Sequence, residues 1–155
     1  MCRTGVNSDN NLRVHARRKL YFKGNRGRID RDPVRALRIR HFIERCVVAV
    51  LGLSGRPEVR SAIAGPPRSG TEVVFARQVV MYLAHVGCGL SFTATARLYA
   101  RHRSTAAYAC AVVEGSRDDT AFDRVIEQLE RFVRLGVGQI EPQLAAELAT
   151  VRQRR

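Results

Sequence analysis

At 155 residues with 45% hydrophobic content, the chain has room for one packed body plus tails. Its 27 Lys and Arg against 14 Asp and Glu leave a formal charge of +13, which points to polyanionic partners rather than to a particular fold. No apolar run, Cys46 to Leu51 among them, approaches the roughly 18 residues that span a bilayer, and the basic start lacks the apolar stretch of a secretory signal. Neither a membrane span nor a secretory leader is expected, and a cytoplasmic location is the expectation that follows.

Charge is uneven along the chain. Residues 1–40 hold 12 Lys/Arg and 3 Asp/Glu, net +9, while residues 110–150 hold 4 and 8, net −4. Residues 1–33 carry Asn, Gly and Arg clusters without periodicity and read as a flexible basic arm. From Leu37, the positions Ile39, Phe42, Ile43, Cys46, Val47, Val50 and Leu51 recur at helical spacing, predicting a helix that ends at Gly52. Leu53 to Ile63 reads as a connector with one short helical turn opened by Pro57, and Gly65 to Gly70 as a loop.

A second helix is predicted from about Thr71, with Val74, Phe75, Gln78, Val79, Tyr82, Leu83 and Val86 forming a broad stripe that stops at Gly87 or Gly89. Ser91 is placed to cap a short third helix whose Phe92, Thr95, Ala96 and Tyr99 face inward. After a turn at Ala100 to His102, a fourth helix runs from about Arg103 to Arg117 with small apolar residues at Ala106, Ala107, Ala109, Cys110 and Val113. Asp118 and Asp119 start an amphipathic helix with Phe122, Val125, Ile126, Leu129, Phe132 and Val133 on one side, which Gly136 and Gly138 are expected to close. Leu144, Leu148 and Val151 suggest a short appended helix in the tail. The expected body is an all-helical bundle of five to six helices spanning 34–138, followed by a tail at 139–155.

The basic turn Arg101-His102-Arg103-Ser104-Thr105, set between two apolar-periodic segments, has the form of a helix-turn-helix. In that geometry the first residues of the second helix face base edges. Ser104 and Thr105 suit either capping of that helix or contact with DNA. Tyr82, Phe92 and Tyr99 fall on apolar stripes and read as core.

FARQVVMYLAHVGCGLS from Phe75 to Ser91 and RHRSTAAYACAVVE from Arg101 to Glu114 together resemble the C-terminal DNA-binding domain of the bacterial replication initiator DnaA, with weaker similarity from Leu37 through Phe132. The resemblance implies a fold of the Trp-repressor/DnaA type. It also implies binding of double-stranded DNA, at origin or initiator-box-like sites in the nucleoid, in control of replication initiation or transcription and without an ATPase. It places Arg77, beside Gln78 in the A-R-Q segment, in the minor groove. His102, Arg103 and Ser104 fall in the major groove, Thr105 near a phosphate, and Arg68 in a basic loop beside the DNA backbone. Phosphate binding is expected of Arg77, Arg97, Arg101 and Arg103, since no acid between Gln78 and Tyr108 compensates them. The chain departs from the family pattern at His102, where an acid is usual, and at Ala106 and Tyr108. Exchanging an acid for imidazole removes an acceptor suited to a cytosine amino group and supplies a donor.

Other chemistries lack their parts. The G-x-x-x-x-G-T of Gly65 to Thr71 has no lysine for a nucleotide's terminal phosphates, contains two prolines and follows no strand. His85 and Cys88 share a helix face, but two ligands do not make a metal site. His15, His41, His85 and His102 lie in different segments and no nucleophile–base pair is visible from spacing, so neither catalysis nor a cofactor is expected. The alternative to DNA binding is an interaction module whose altered helix-turn-helix docks a replication or nucleoid protein through its last, acidic helix.

Overall fold

The computed structural model describes residues 32–52, Ile63 and residues 70–153; residues 1–31 of the expected basic arm, most of the connector and the loop that carries Arg68 lie outside the described residues, and the last two positions assigned to the arm, Asp32 and Pro33, cap and open the first helix. Five α-helices and no strand occur among them. None of these helices is long and apolar enough to cross a membrane.

Helix α1, Pro33–Val50, begins a turn before the apolar pattern does. The Asp32 carboxylate accepts from the amides of Val34 and Arg35 at 3.0 and 3.1 Å, and Pro33 fills the first helical position, where its missing N–H costs nothing. The helix ends where predicted, with Gly52 at φ +68°.

Helix α2, Thr71–Tyr82, continues into a π-turn at Leu83–Gly87 and forms the centre of the core. Ala76, Val79, Val80, Tyr82, Leu83 and Ala84 are each fully buried. The Cys88 amide bonds back to the Leu83 carbonyl at 3.1 Å, so the helix widens by one residue just where Gly87 lies against Val133. Helix α3, Phe92–Leu98, starts at Ser91, whose hydroxyl accepts from the Ala94 amide at 3.1 Å as predicted. Helix α4, Arg103–Gly115, packs Ala106, Ala109, Cys110 and Val113 inward against α2 and α3, then tightens into a 3₁₀ turn at Ser116–Asp118.

The last helix departs most from expectation. Helix α5 is a single element of 34 residues, Thr120–Gln153, capped by Asp119 and uninterrupted at Gly136, Gly138 or Pro142. Gly136 does not stop it because α1 lies there: a Cβ at Gly136 would overlap the Phe42 ring. Val137, one residue on, is 1% exposed, so the core keeps pulling the helix forward. Farther along, Arg38 of α1 pairs with Glu147 at 2.7 Å. The expected separate helix at 141–151 is therefore the continuation of α5.

Arg117, in the 3₁₀ turn, ties α2 and α5 together. It donates to the Tyr82 hydroxyl at 2.7 Å and to Glu130 at 2.6 Å, and pairs with Asp123. Tyr82 donates to the same Glu130 oxygen at 2.8 Å, and Arg134 covers the other oxygen. Glu130 is 7% exposed, and this set of donors satisfies its charge.

Candidate nucleic-acid interface

The corner between α3 and α4 is built by backbone chemistry. At the end of α3 the Ala100 amide donates to the Arg97 carbonyl at 3.1 Å and the Arg101 amide to the Ala96 carbonyl at 2.8 Å. These are the two reverse bonds of a Schellman ending, which needs a left-handed residue between them. Ala100 supplies it at φ +50°, a position usually given to glycine. Tyr99, 2% exposed, anchors the turn in the core. The chain thus reverses in three residues and delivers the start of α4 to the surface.

His102 is the N-cap of α4. Its Nδ1 accepts from the Ser104 amide at 3.4 Å and lies 2.8 Å from the Ser104 hydroxyl. An amide can only donate, so Nδ1 must be the acceptor and the neutral ring carries its proton on Nε2. Capping therefore falls to His102, and the reading of Ser104 or Thr105 as the cap is corrected. The outer ring nitrogen is left as a hydrogen-bond donor.

His102, Arg103, Ser104 and Thr105 are all exposed, and no acid lies in the first turn of α4. Arg103 has no hydrogen-bond or ion-pair partner among the described residues. Tyr108, 65% exposed, sits one turn beyond Ser104 on the same outward face. In the sequence Tyr108 stands out only as a departure from the resembled pattern. The i, i+4 spacing from Ser104, opposite the buried Ala106, Ala109 and Val113, was the signal that places it on the outer face.

The remaining predicted residues divide. Arg101 is half-buried at the corner and its guanidinium reaches back to the Ala100 carbonyl at 3.2 Å. Arg97 is exposed on the last turn of α3 and lines, with Arg40, Leu37 and Leu98, an open groove of about 330 Å³ against α1. Gln78 is half-buried on α2. Arg77 is 6% exposed, and its Nε donates to the Ile63 carbonyl at 3.2 Å. Burial first, and the nearby Arg101 charge second, lower the Arg77 pKa from its ordinary value. Arg77 shares its helix face with the buried Val80 and Met81, so in this conformation it braces the core against the connector instead of projecting as a minor-groove finger.

Among the described residues no three His, Cys, Asp or Glu side chains converge as metal ligands. His85 Nδ1 lies 2.6 Å from the Leu90 carbonyl with its ring stacked on Phe92, and Cys88 is 2% exposed. In comparisons with known proteins, no family model, no curated protein and no solved structure matches the chain.

Proposed function

We propose that α3, the Schellman turn and α4 act as a helix-turn-helix of the DnaA type that binds double-stranded DNA and regulates replication initiation or transcription without an ATPase. The observation that carries this reading is the exposed, acid-free start of α4, with Arg103 unpaired among the described residues and a helix N-terminus behind it. Arg103 is the base reader. A bidentate arginine-to-guanine contact discriminates by about 1–3 kcal/mol, whereas phosphate contacts add affinity without choosing sequence. His102 offers an Nε2–H donor where the family carries an acceptor, so the preferred site differs from the usual initiator box at that base. Arg77 joins the interface only if it leaves the Ile63 carbonyl.

Selection of bound sequences from a random duplex pool, followed by affinity against salt, tests the reading. Each phosphate contact contributes a slope of about −0.9 in log K against log salt, so four to six contacts give a steep dependence. Arg103→Ala relaxes the selected sequence, and Arg97→Ala weakens all duplexes alike. A chain that binds no duplex, or binds with no salt dependence, rejects the proposal. Footprinting on an origin region with and without full-length initiator tests the replication role, which predicts masking of initiator sites.

A further inference from the structure

Helix α5 presents a second surface, distant in kind from the cationic corner. Ala121, Val125, Gln128, Phe132, Leu135 and Gln139 follow one another at spacings of four and three, and all are exposed. That is the a/d spacing of a coiled-coil seam, here about 27 Å long at 1.5 Å per residue. The core of this protein is packed by a different face, on which Ile126, Leu129, Val133 and Val137 are buried, so Val125 and Phe132 do not share the core face that the sequence pattern assigns them. The outer seam is thus an additional stripe, and in a chain of net charge +13 it bears no charged residue.

Its centre is anchored. Phe132 is 61% exposed and Leu135 64%, and Phe132 is held in place by stacking on Phe42 at 6.0 Å. Both sides are basic. On α5, Arg124 and Arg131 border the seam; on α1, Arg45 lies one turn from Phe42, and all three are exposed with no hydrogen-bond or ion-pair partner among the described residues. The nearest acid, Glu127, lies about 40° farther round the helix than Arg131, beyond the arginine row. Asp123 and Glu130 are turned to Arg117.

We infer that this face docks an amphipathic helix of a partner protein whose apolar stripe is flanked by acidic residues. Charge complementarity selects that occupant. A second copy of this chain would set arginine rows against arginine rows, and like charges juxtaposed across an interface oppose pairing. A nucleic acid would meet the arginines but leave Phe132 and Leu135 without an apolar counterpart. The inference stands apart from the DNA-binding reading because it uses none of the residues at the α3–α4 corner.

The full chain is titrated, at physiological salt, against a fluorescein-labelled peptide of four heptads with Leu at a and d and Glu at e and g. The control is the same composition in an order that destroys the stripe. The amphipathic peptide binds at least tenfold more tightly than the control. Leu135→Ser and the pair Phe132→Ser/Leu135→Ser each weaken it tenfold or more, with thermal unfolding of Leu135→Ser unchanged to show that the fold is intact. Arg124→Glu/Arg131→Glu reverses the preference toward a Lys-flanked peptide. Equal binding of the scrambled peptide, or affinity indifferent to Leu135, overturns the inference. So does sedimentation showing self-association that Leu135→Ser abolishes, or loss of duplex affinity in that variant.

Discussion

The Nδ1 atom of His102 lies 2.8 Å from the Ser104 hydroxyl and 3.4 Å from its amide, so the same imidazole that faces solvent also closes the first turn of α4. Loss of an N-cap typically costs about 1 kcal/mol. His102→Ala is expected to destabilise the protein by that amount in urea unfolding. His102→Asp retains the cap and suits the helix dipole, but places a negative charge at the proposed interface. Its stability is therefore equal to or above that of the parent while duplex affinity falls. Parallel loss of both properties in His102→Asp would show that the residue acts only through the fold.

Ala100 carries the cost of the turn. A non-glycine residue in the left-handed region is strained by roughly 1–2 kcal/mol, and Ala100 is exposed, so glycine loses no packing there. Ala100→Gly is expected to stabilise the chain by about 1 kcal/mol in denaturant unfolding. A neutral or destabilising result would mean that the greater freedom glycine gives the unfolded chain outweighs relief of the strain.

Much of the scaffold was legible because periodic apolar residues report burial directly. The stripes of α1 and α2, the Ser91 cap and the Asp119 start are local signals that the tertiary structure has no reason to override. Arg77 was not legible in that way. Its charge suggests solvent, yet its register with Val80 and Met81 turns it inward, and the Ile63 carbonyl that receives it comes from fourteen residues away. The His102 cap was hidden by the presence of two better-known capping residues, Ser104 and Thr105, directly after it. The true end of α5 was hidden because two glycines ordinarily weaken a helix, and the packing of α1 over Gly136 and the burial of Val137, which carry the helix through, are not local signals.

Those two glycines separate propensity from packing. Gly138 has open space where a Cβ would project, so Gly138→Ala gains about 1 kcal/mol of helix propensity. At Gly136 the same gain is opposed by displacement of the Phe42 ring from its stack on Phe132. Thermal unfolding is expected to rise in Gly138→Ala and not in Gly136→Ala. Equal stabilisation of both would show that Phe42 moves aside without loss.

The core also sets an alkaline limit. Burial pushes the Cys88 thiol up from 9.0 to about 12, and burial raises the Tyr82 and Tyr99 hydroxyls well above their usual value. Each stays protonated in the folded chain after its unfolded counterpart has ionised. Their contribution to stability is full below the unfolded pKa and declines as pH climbs from about 9 toward 12. Urea midpoints should be flat approaching pH 9 and fall above it. In the same window Cys88 resists alkylation until the chain unfolds, because the thiolate is the reactive form; rapid labelling of native Cys88 would contradict its burial.

Arg117 is where a single substitution should do most damage. Its guanidinium serves the Tyr82 hydroxyl, Glu130 and Asp123 together, and joins the end of α4 to both the central helix and α5. Removing it leaves Glu130 buried with only Tyr82 and Arg134 as donors. Breaking one partner of a buried ion pair typically costs about 3–5 kcal/mol. Arg117→Met should lose stability of that order, discounted for the half-exposed Asp123 arm, which water screens. Arg117→Met/Glu130→Gln should recover part of it, since the uncompensated charge is then gone. If the double variant is no more stable than the single one, the arginine acts through packing of its stem and not through the Glu130 charge.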